Sequence, residues 1–291
     1  MTETCTETWR HGKVETNGIQ LHYVTQGEGE LMLFLHGFPE FWYSWRHQIP
    51  EFARDYKVVA LDLRGYNESD RPQSKAAYRI DELVEDVKGA IAALGYEHCI
   101  LVGHDWGGAI AWQFVYRYPS QVKRLIILNL PHPAKFSEGL RTWQQLARSW
   151  YIFFFQLPFL PELLLKANLQ QALEQTFRGM AIDKQAFSDA DIEAYTTALA
   201  KPGAIAAALN YYRNLLSWLL FPSDWPILTH PPTLMIWGED DTALGKELTE
   251  GTEAYVQDFQ IRYIPNCSHW VQQEQPQLVN QYIRAFLDAA E

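Results

Sequence analysis

Basic residues are scarce in this sequence: 24 Lys and Arg stand against 35 Asp and Glu over 291 residues, a formal charge of −11. So acidic a chain offers no surface for a phosphate backbone, which excludes nucleic-acid binding. Cysteine is equally sparse. Cys5, Cys99 and Cys267 cannot pair completely and form no CxxC motif, so a reducing, cytoplasmic setting is expected. Long apolar runs are missing too. The most membrane-like stretch, Trp150 to Leu165, is too short to span, carries Gln156 and Glu162, and is interrupted by Pro158 and Pro161. The segment MTETCTETWRHGKVE is polar and has no apolar centre of a secretory kind. There is no HExxH, no suitably spaced His/Asp cluster and no Gly-rich dinucleotide loop, so neither a metal nor an organic cofactor is expected.

What the chain has in abundance is aromatic side chains, 11 Trp, 15 Tyr and 15 Phe, which point to a large apolar cavity. Its length suits one large α/β unit with room for an inserted subdomain. Asn17-Gly18 is a type I′ hairpin signal between strands at 9–15 and 19–25. Buried-strand candidates follow at Leu31–Leu35, Lys57–Leu61, Cys99–Val102, Arg124–Leu130, Thr233–Trp237 and Gln260–Ile264. Ahead of Cys99, the spacing of Ile80, Leu83, Val84, Val87 and Ile91 predicts a helix that Gly95 ends. A last helix is expected over 276–290. From about His132 to Asp224 the strand rhythm stops and only helical patterns occur, among them one capped by Ser188 and ended by Lys201-Pro202-Gly203. An insert of that kind reads as a cap over the carboxyl edge of a parallel sheet, where open α/β sheets bind ligands.

The segment ILVGHDWGGAIAWQF, residues 100–114, carries the chemistry. A buried strand passes through Gly103-His104-Asp105-Trp106-Gly107 directly into a helix, the spacing of a G-x-S-x-G nucleophile elbow with aspartate in place of serine. The turn leaves no room for side chains at its flanks, hence the glycines. It holds the central residue exposed at a helix N-terminus, where an anion is favoured. The plain alternative is that Asp105 merely caps the helix. A carboxylate is a poor nucleophile toward esters and amides. It can, however, displace a leaving group at saturated carbon, giving an ester that water then cleaves at the aspartyl carbonyl. Epoxides and alkyl halides fit that chemistry.

The second step needs a base and an acid that orients it, in the chain order nucleophile, acid, base. Asp241, after the strand ending LMIWGED, and His269, in PNCSHW, meet that order; Glu239 and Asp240 compete with Asp241. The oxyanion donors are expected to be the backbone N–H of Trp106, next to the nucleophile, and that of Phe38 in His36-Gly37-Phe38-Pro39. An epoxide oxygen leaves as an alkoxide and needs a proton, which a phenol supplies at neutral pH.

Taken together, GHDWGG (103–108), HGFPEFWYSW (36–45), LRGY (63–66) and NYYRN (210–214) resemble the α/β-hydrolase-fold epoxide hydrolases over nearly the whole chain. The resemblance implies an α/β-hydrolase fold with a mostly parallel eight-stranded sheet and an inserted helical cap. The break in the strand rhythm places the core at 1–132 and 225–291 and the cap at 133–224. The resemblance also implies a pair of cap tyrosines that bind and protonate the epoxide oxygen: Tyr212 in NYYRN, with neighbouring Tyr211 as the competing choice, and Tyr151 ahead of FFQLP. Substrate contacts are then expected from Phe38, Trp106, Tyr151 and Tyr212, with a small apolar epoxide and water as reactants. Asn67 stands where the family often has glycine, and Asn tolerates the left-handed conformation expected there. Haloalkane dehalogenases share the Trp after the nucleophile, but they commonly carry Asn at the position of Phe38 and lack the tyrosine pair. Haloacetate dehalogenases carry Arg where this chain has Trp106. A non-enzymatic receptor on the same fold has no reason to keep Asp105, Asp241 and His269 together. Residues 142–163 and 208–225 are about twice as rich in aromatics as the chain average, which places the apolar cavity under the cap.

Overall fold

The computed structural model describes residues 9–220, with backbone alone from 216 to 220, and residues 228–289. Cys5, the side chain of Leu216, and the expected cap boundary at residue 224 lie outside the described residues. Eight strands form one sheet: β1 (Arg10–Thr16), β2 (Ile19–Gln26), β3 (Leu31–Leu35), β4 (Lys57–Leu61), β5 (Cys99–His104), β6 (Val122–Leu128), β7 (Thr233–Gly238) and β8 (Phe259–Ile264). Their order across the sheet is β1-β2-β4-β3-β5-β6-β7-β8. Only β2 runs antiparallel to its neighbours, β1 and β4. The other pairs are parallel.

β3, β5 and β7 are buried at every residue, as parallel strands covered on both faces must be. Asn17 and Gly18 both take positive φ, 46° and 74°, the backbone of the expected hairpin turn. The core helices are α1 (Ile49–Phe52), α2 (Ile80–Ala93) and α3 (Trp106–Arg117). Of the predicted face of α2, Leu83, Val84, Val87 and Ile91 are buried and Ile80, at its first residue, is half-buried, and Gly95 follows its end at φ 88°. The strand expected at Arg124–Leu130 lies two residues earlier. Asn129, at φ 41°, ends the strand there, with its N–H still donating to the Ile236 carbonyl at 3.0 Å.

Between β6 and β7 the described chain is helical: α4 (Pro133–Gly139), α5 (Trp143–Arg148), α6 (Trp150–Phe154), α7 (Leu160–Ala167), α8 (Leu169–Met180), α9 (Asp189–Leu199) and α10 (Ala204–Leu220). Ser188 caps α9 in a reciprocal arrangement: its hydroxyl accepts from the Asp191 N–H while the Asp191 carboxylate accepts from the Ser188 N–H. The chain closes with α11 (Val271–Glu274) and α12 (Pro276–Asp288). Among the described residues no helix is long and apolar enough to cross a membrane.

Candidate active site

Asp105 stands between β5 and α3 with φ 48° and ψ −119°, a conformation that L-residues avoid. Close packing enforces it. A Cβ on Gly107 would lie 2.1 Å from the Leu35 carbonyl oxygen, and one on Gly37 would lie 2.4 Å from the Asp105 Cβ. The absence of both lets α3 approach the end of β3 and brings the HGFP turn onto the carboxylate. There the Phe38 N–H donates to Asp105 Oδ1 at 2.8 Å. The Trp106 N–H, on the other side, is the first of α3 and has no partner one turn earlier in the helix.

His269 follows β8 and Asp241 follows β7, so both stand at the carboxyl edge of the sheet with Asp105. His269 Nε2 lies 3.6 Å from Asp105 Oδ2, and its Nδ1 lies 2.6 Å from Asp241 Oδ2. All three are largely buried. Burial by itself would lower the imidazole pKa, but Asp241 and Asp105 on either side reverse the effect and raise it to about 10. Burial pushes the two carboxyls up. For Asp105, His269, the His104 ring and the Phe38 N–H more than offset that. For Asp241, His269, the Leu244 N–H and the Asn129 amide do the same. Both carboxyls end below the usual carboxylate range. Of the competing acids, Glu239 is turned to Lys246, and Asp240 is exposed.

The helical insert lays two phenols over the nucleophile. Tyr151 and Tyr212 meet edge to face with ring centroids 5.8 Å apart, and Tyr212 also packs edge-on against Phe38 and Trp106. Burial first, then the charge of Asp105, pushes both phenols above their ordinary pKa, so they stay protonated as donors. Tyr211 turns away; its hydroxyl donates to the Arg64 carbonyl at 2.7 Å. Asp105, Tyr151, Tyr212, Phe38 and His269 line one cavity of about 370 Å³.

Three buried residues around the site were not singled out from the sequence. Asn129 donates through its amide to Asp241 Oδ2 at 2.7 Å and accepts the Gly238 N–H at 3.0 Å. His104 sits beneath His269 with ring centroids 4.7 Å apart. It contacts the Glu40 carboxylate through Nδ1 at 2.8 Å and the His269 carbonyl through Nε2 at 2.9 Å. Glu40 also accepts from the Gly37 N–H and from the Gln272 and Gln273 amides. Each His104 nitrogen therefore faces an oxygen. The sequence signal for Glu40 and His104 was their place inside the motifs HGFPEFWYSW and GHDWGG.

The aromatic insert divides where the composition suggested a single lining. Trp150, Tyr151, Phe154 and Phe155 reach the cavity. Trp143 and Phe159, each 83% exposed, face outward. Among the described residues, no group of three His, Cys, Asp or Glu side chains is placed to hold a metal ion.

The alpha/beta hydrolase fold family matches residues 30–276. Epoxide hydrolase 4 of Mus musculus is 44% identical over 94% of this chain and 78% of its own. Epoxide hydrolase 1 of Caenorhabditis elegans is 42% identical over 97% of this chain and 71% of its own. Among solved structures, a variant of an epoxide hydrolase from Bacillus megaterium, complexed with its diol product, superimposes with TM-score 0.87 at 38% identity. It covers 95% of this chain and all of that one.

Proposed function

Because this chain belongs to the α/β-hydrolase family and, within it, to the epoxide hydrolases, we propose that it opens small apolar epoxides to vicinal diols through an ester on Asp105. The Phe38 N–H already holds Oδ1 of the nucleophile, which leaves Oδ2 to attack. Oδ2 forms a bond to one epoxide carbon as the carbon–oxygen bond opposite it breaks. Tyr151 and Tyr212 supply hydrogen bonds and a proton to the departing oxygen, which is more basic than a phenolate. Esterification removes the charge of Asp105, one of the influences that raise the His269 pKa. The imidazole then becomes a competent base, with Asp241 holding its Nδ1–H.

His269 takes a proton from water, and the resulting hydroxide attacks the Asp105 carbonyl carbon. The oxyanion forms on Oδ1, where the Phe38 and Trp106 N–H groups receive it. As this intermediate collapses, the His269 imidazolium returns its proton to the departing alkoxide oxygen and the diol is released, while the proton left on the Asp105 carboxyl restores the phenol that was spent in ring opening. The observation that carries the reading is a carboxylate, rather than a hydroxyl, at the elbow, faced by two buried phenols. Those phenols favour an alkoxide leaving group over a halide, which departs without a proton.

We divide the chain for this function into a core at 1–132 and 225–291 and a cap at 133–224. The succession of helices from α4 to α10 among the described residues after β6 supports that division. Free, buried Cys99 and Cys267 support a reducing, cytoplasmic setting.

A single turnover in ¹⁸O-water tests the chemistry. The first diol should carry an oxygen from Asp105 and no label, with the label appearing in the enzyme. Full solvent label in the first diol would refute the covalent route. Parallel assays of diol and halide release from matched epoxides and haloalkanes separate the two leaving groups.

A further inference from the structure

The segment that carries the base is fastened to the helical insert, and we infer that Glu274 is the positioning residue that fastens it, holding His269 in place for ester hydrolysis. The inference rests on the covalent epoxide-hydrolase reading and adds a residue to its second step. Glu274, at the end of α11, is 5% exposed. Its two oxygens serve different segments. Oε1 accepts the Ser268 N–H at 3.1 Å and the Ser268 hydroxyl. Oε2 accepts the N–H groups of Ile182 and Asp183 at 2.8 and 3.0 Å. Ser268 precedes the base directly, whereas Ile182 and Asp183 lie in the turn between α8 and α9. Trp270, on the other side of His269, reaches the same part of the insert. Its indole N–H donates to the Thr176 carbonyl of α8 at 3.2 Å, and its ring packs on Phe177 with centroids 4.7 Å apart.

A buried carboxylate is costly unless donors satisfy it, and packing alone does not call for one. Here four donors divide two and two between the base's own segment and the insert, which makes the side chain a bridge. Hydrogen bonds to a charged acceptor are also roughly twice as strong as neutral ones. The consequence for the chemistry follows from placement. His269 Nε2 stands 3.6 Å from Asp105 Oδ2, and the ring is set by its backbone and by Asp241. A misplacement of about 1 Å at a reacting group can cost about 10²-fold in rate. Ring opening draws on other elements: Asp105 follows β5, Tyr151 stands in α6 and Tyr212 in α10. Loosening the 268–274 segment should therefore weaken the second step and spare the first.

Glu274→Gln keeps the side-chain volume and breaks the bridge. Whichever way the amide is turned, its NH2 group confronts two donors that need an acceptor. Single turnovers of styrene oxide with enzyme in excess, read by intact-protein mass and by diol formation, separate the two steps. The ester should form within about threefold of the wild-type rate and break down at least about 10-fold more slowly, so the adduct accumulates. The acid limb of the hydrolysis pH profile should move to lower pH as the imidazole loosens from Asp241. Ser268→Ala removes one donor from the bridge and should show the same selective loss at about threefold or more. It gives an independent reading should Glu274→Gln fail to fold. Equal slowing of both steps, or hydrolysis at the wild-type rate in the folded variants, overturns the inference and leaves epoxide hydrolysis standing. No adduct in either variant or in His269→Gln, while the wild type still forms diol, overturns the covalent reading and the inference with it.

Discussion

Asn129 and Asp241 are 112 positions apart, yet the Asn129 amide donates at 2.7 Å to the same Asp241 oxygen that His269 contacts at 2.6 Å. The other oxygen of Asp241 accepts the N–H groups of Ala243 and Leu244, at 2.8 and 2.9 Å. The Asp241 carboxylate is thus held from both sides where it meets the imidazole. Asn129→Ala removes one of those contacts and leaves the Gly238 N–H unpaired. We expect a stability loss of about 1–3 kcal/mol, read by chemical denaturation. Because Asp241 acts through His269, the pH profile of ester hydrolysis should also shift, which a purely structural loss would not produce.

Replacing the base separates the two halves of the reaction. His269→Gln should still accept an alkyl group on Asp105 but should not release it. Intact-protein mass spectrometry should therefore show a gain equal to the mass of the epoxide, absent in Asp105→Asn. An unmodified His269→Gln protein after exposure to a good substrate would argue against the ester.

Tyr151→Phe and Tyr212→Phe should each slow epoxide opening. The double variant should lose about 10²–10⁴-fold in kcat/KM, the usual worth of a positioned acid. Tyr211→Phe makes the control. Its hydroxyl serves the Arg64 carbonyl, so the expected cost is about 1 kcal/mol of stability with little change in rate.

The raised pKa of His269 makes stability fall on the alkaline side. The folded protein binds this proton more tightly than the unfolded chain, whose histidine titrates near 6.5. The resulting stabilisation is complete below about pH 6.5 and is lost as pH rises through about 10. The lowered carboxyls of Asp105 and Asp241 act in the opposite sense, stabilising above the ordinary carboxylate range and losing that contribution in acid. Melting temperatures of the wild type should thus drop more steeply from neutral to alkaline pH than those of His269→Gln. Parallel curves would contradict the arrangement.

Gly37→Ala should damage the site more than the fold. Its Cβ would sit 2.4 Å from the Asp105 Cβ, so the turn must shift and carry the Phe38 N–H away from the nucleophile. Loss of most diol formation with a near-native circular dichroism spectrum is the expected result.

Much of this protein is determined locally. The elbow is legible because a strand, a tight glycine-flanked turn and a helix must follow one another in sequence. Asp105 and the two backbone donors come with it. Asp241 and His269 are legible because parallel strands deliver their following loops to one edge. The central strands are read as short apolar runs, since β3, β5 and β7 are buried at every residue, and α2 is read from the spacing of its buried face. Asn67 likewise takes the left-handed turn, at φ 42°.

Only the tertiary structure decides what depends on pairs of elements meeting. That Asn129 braces Asp241, that Glu40 and His104 lie beneath His269, and that Tyr212 rather than Tyr211 looks down at Asp105 follow from packing between distant segments. The aromatic insert makes the same point. Composition counts its rings without direction. It takes the seating of α4 to α10 on the sheet to send Tyr151 and Phe155 inward and Trp143 and Phe159 outward. That seating also leaves a cavity of about 370 Å³ lined by Asp105, Tyr151 and Tyr212. Volume between elements is a property of their contact, and no single segment of the chain encodes it.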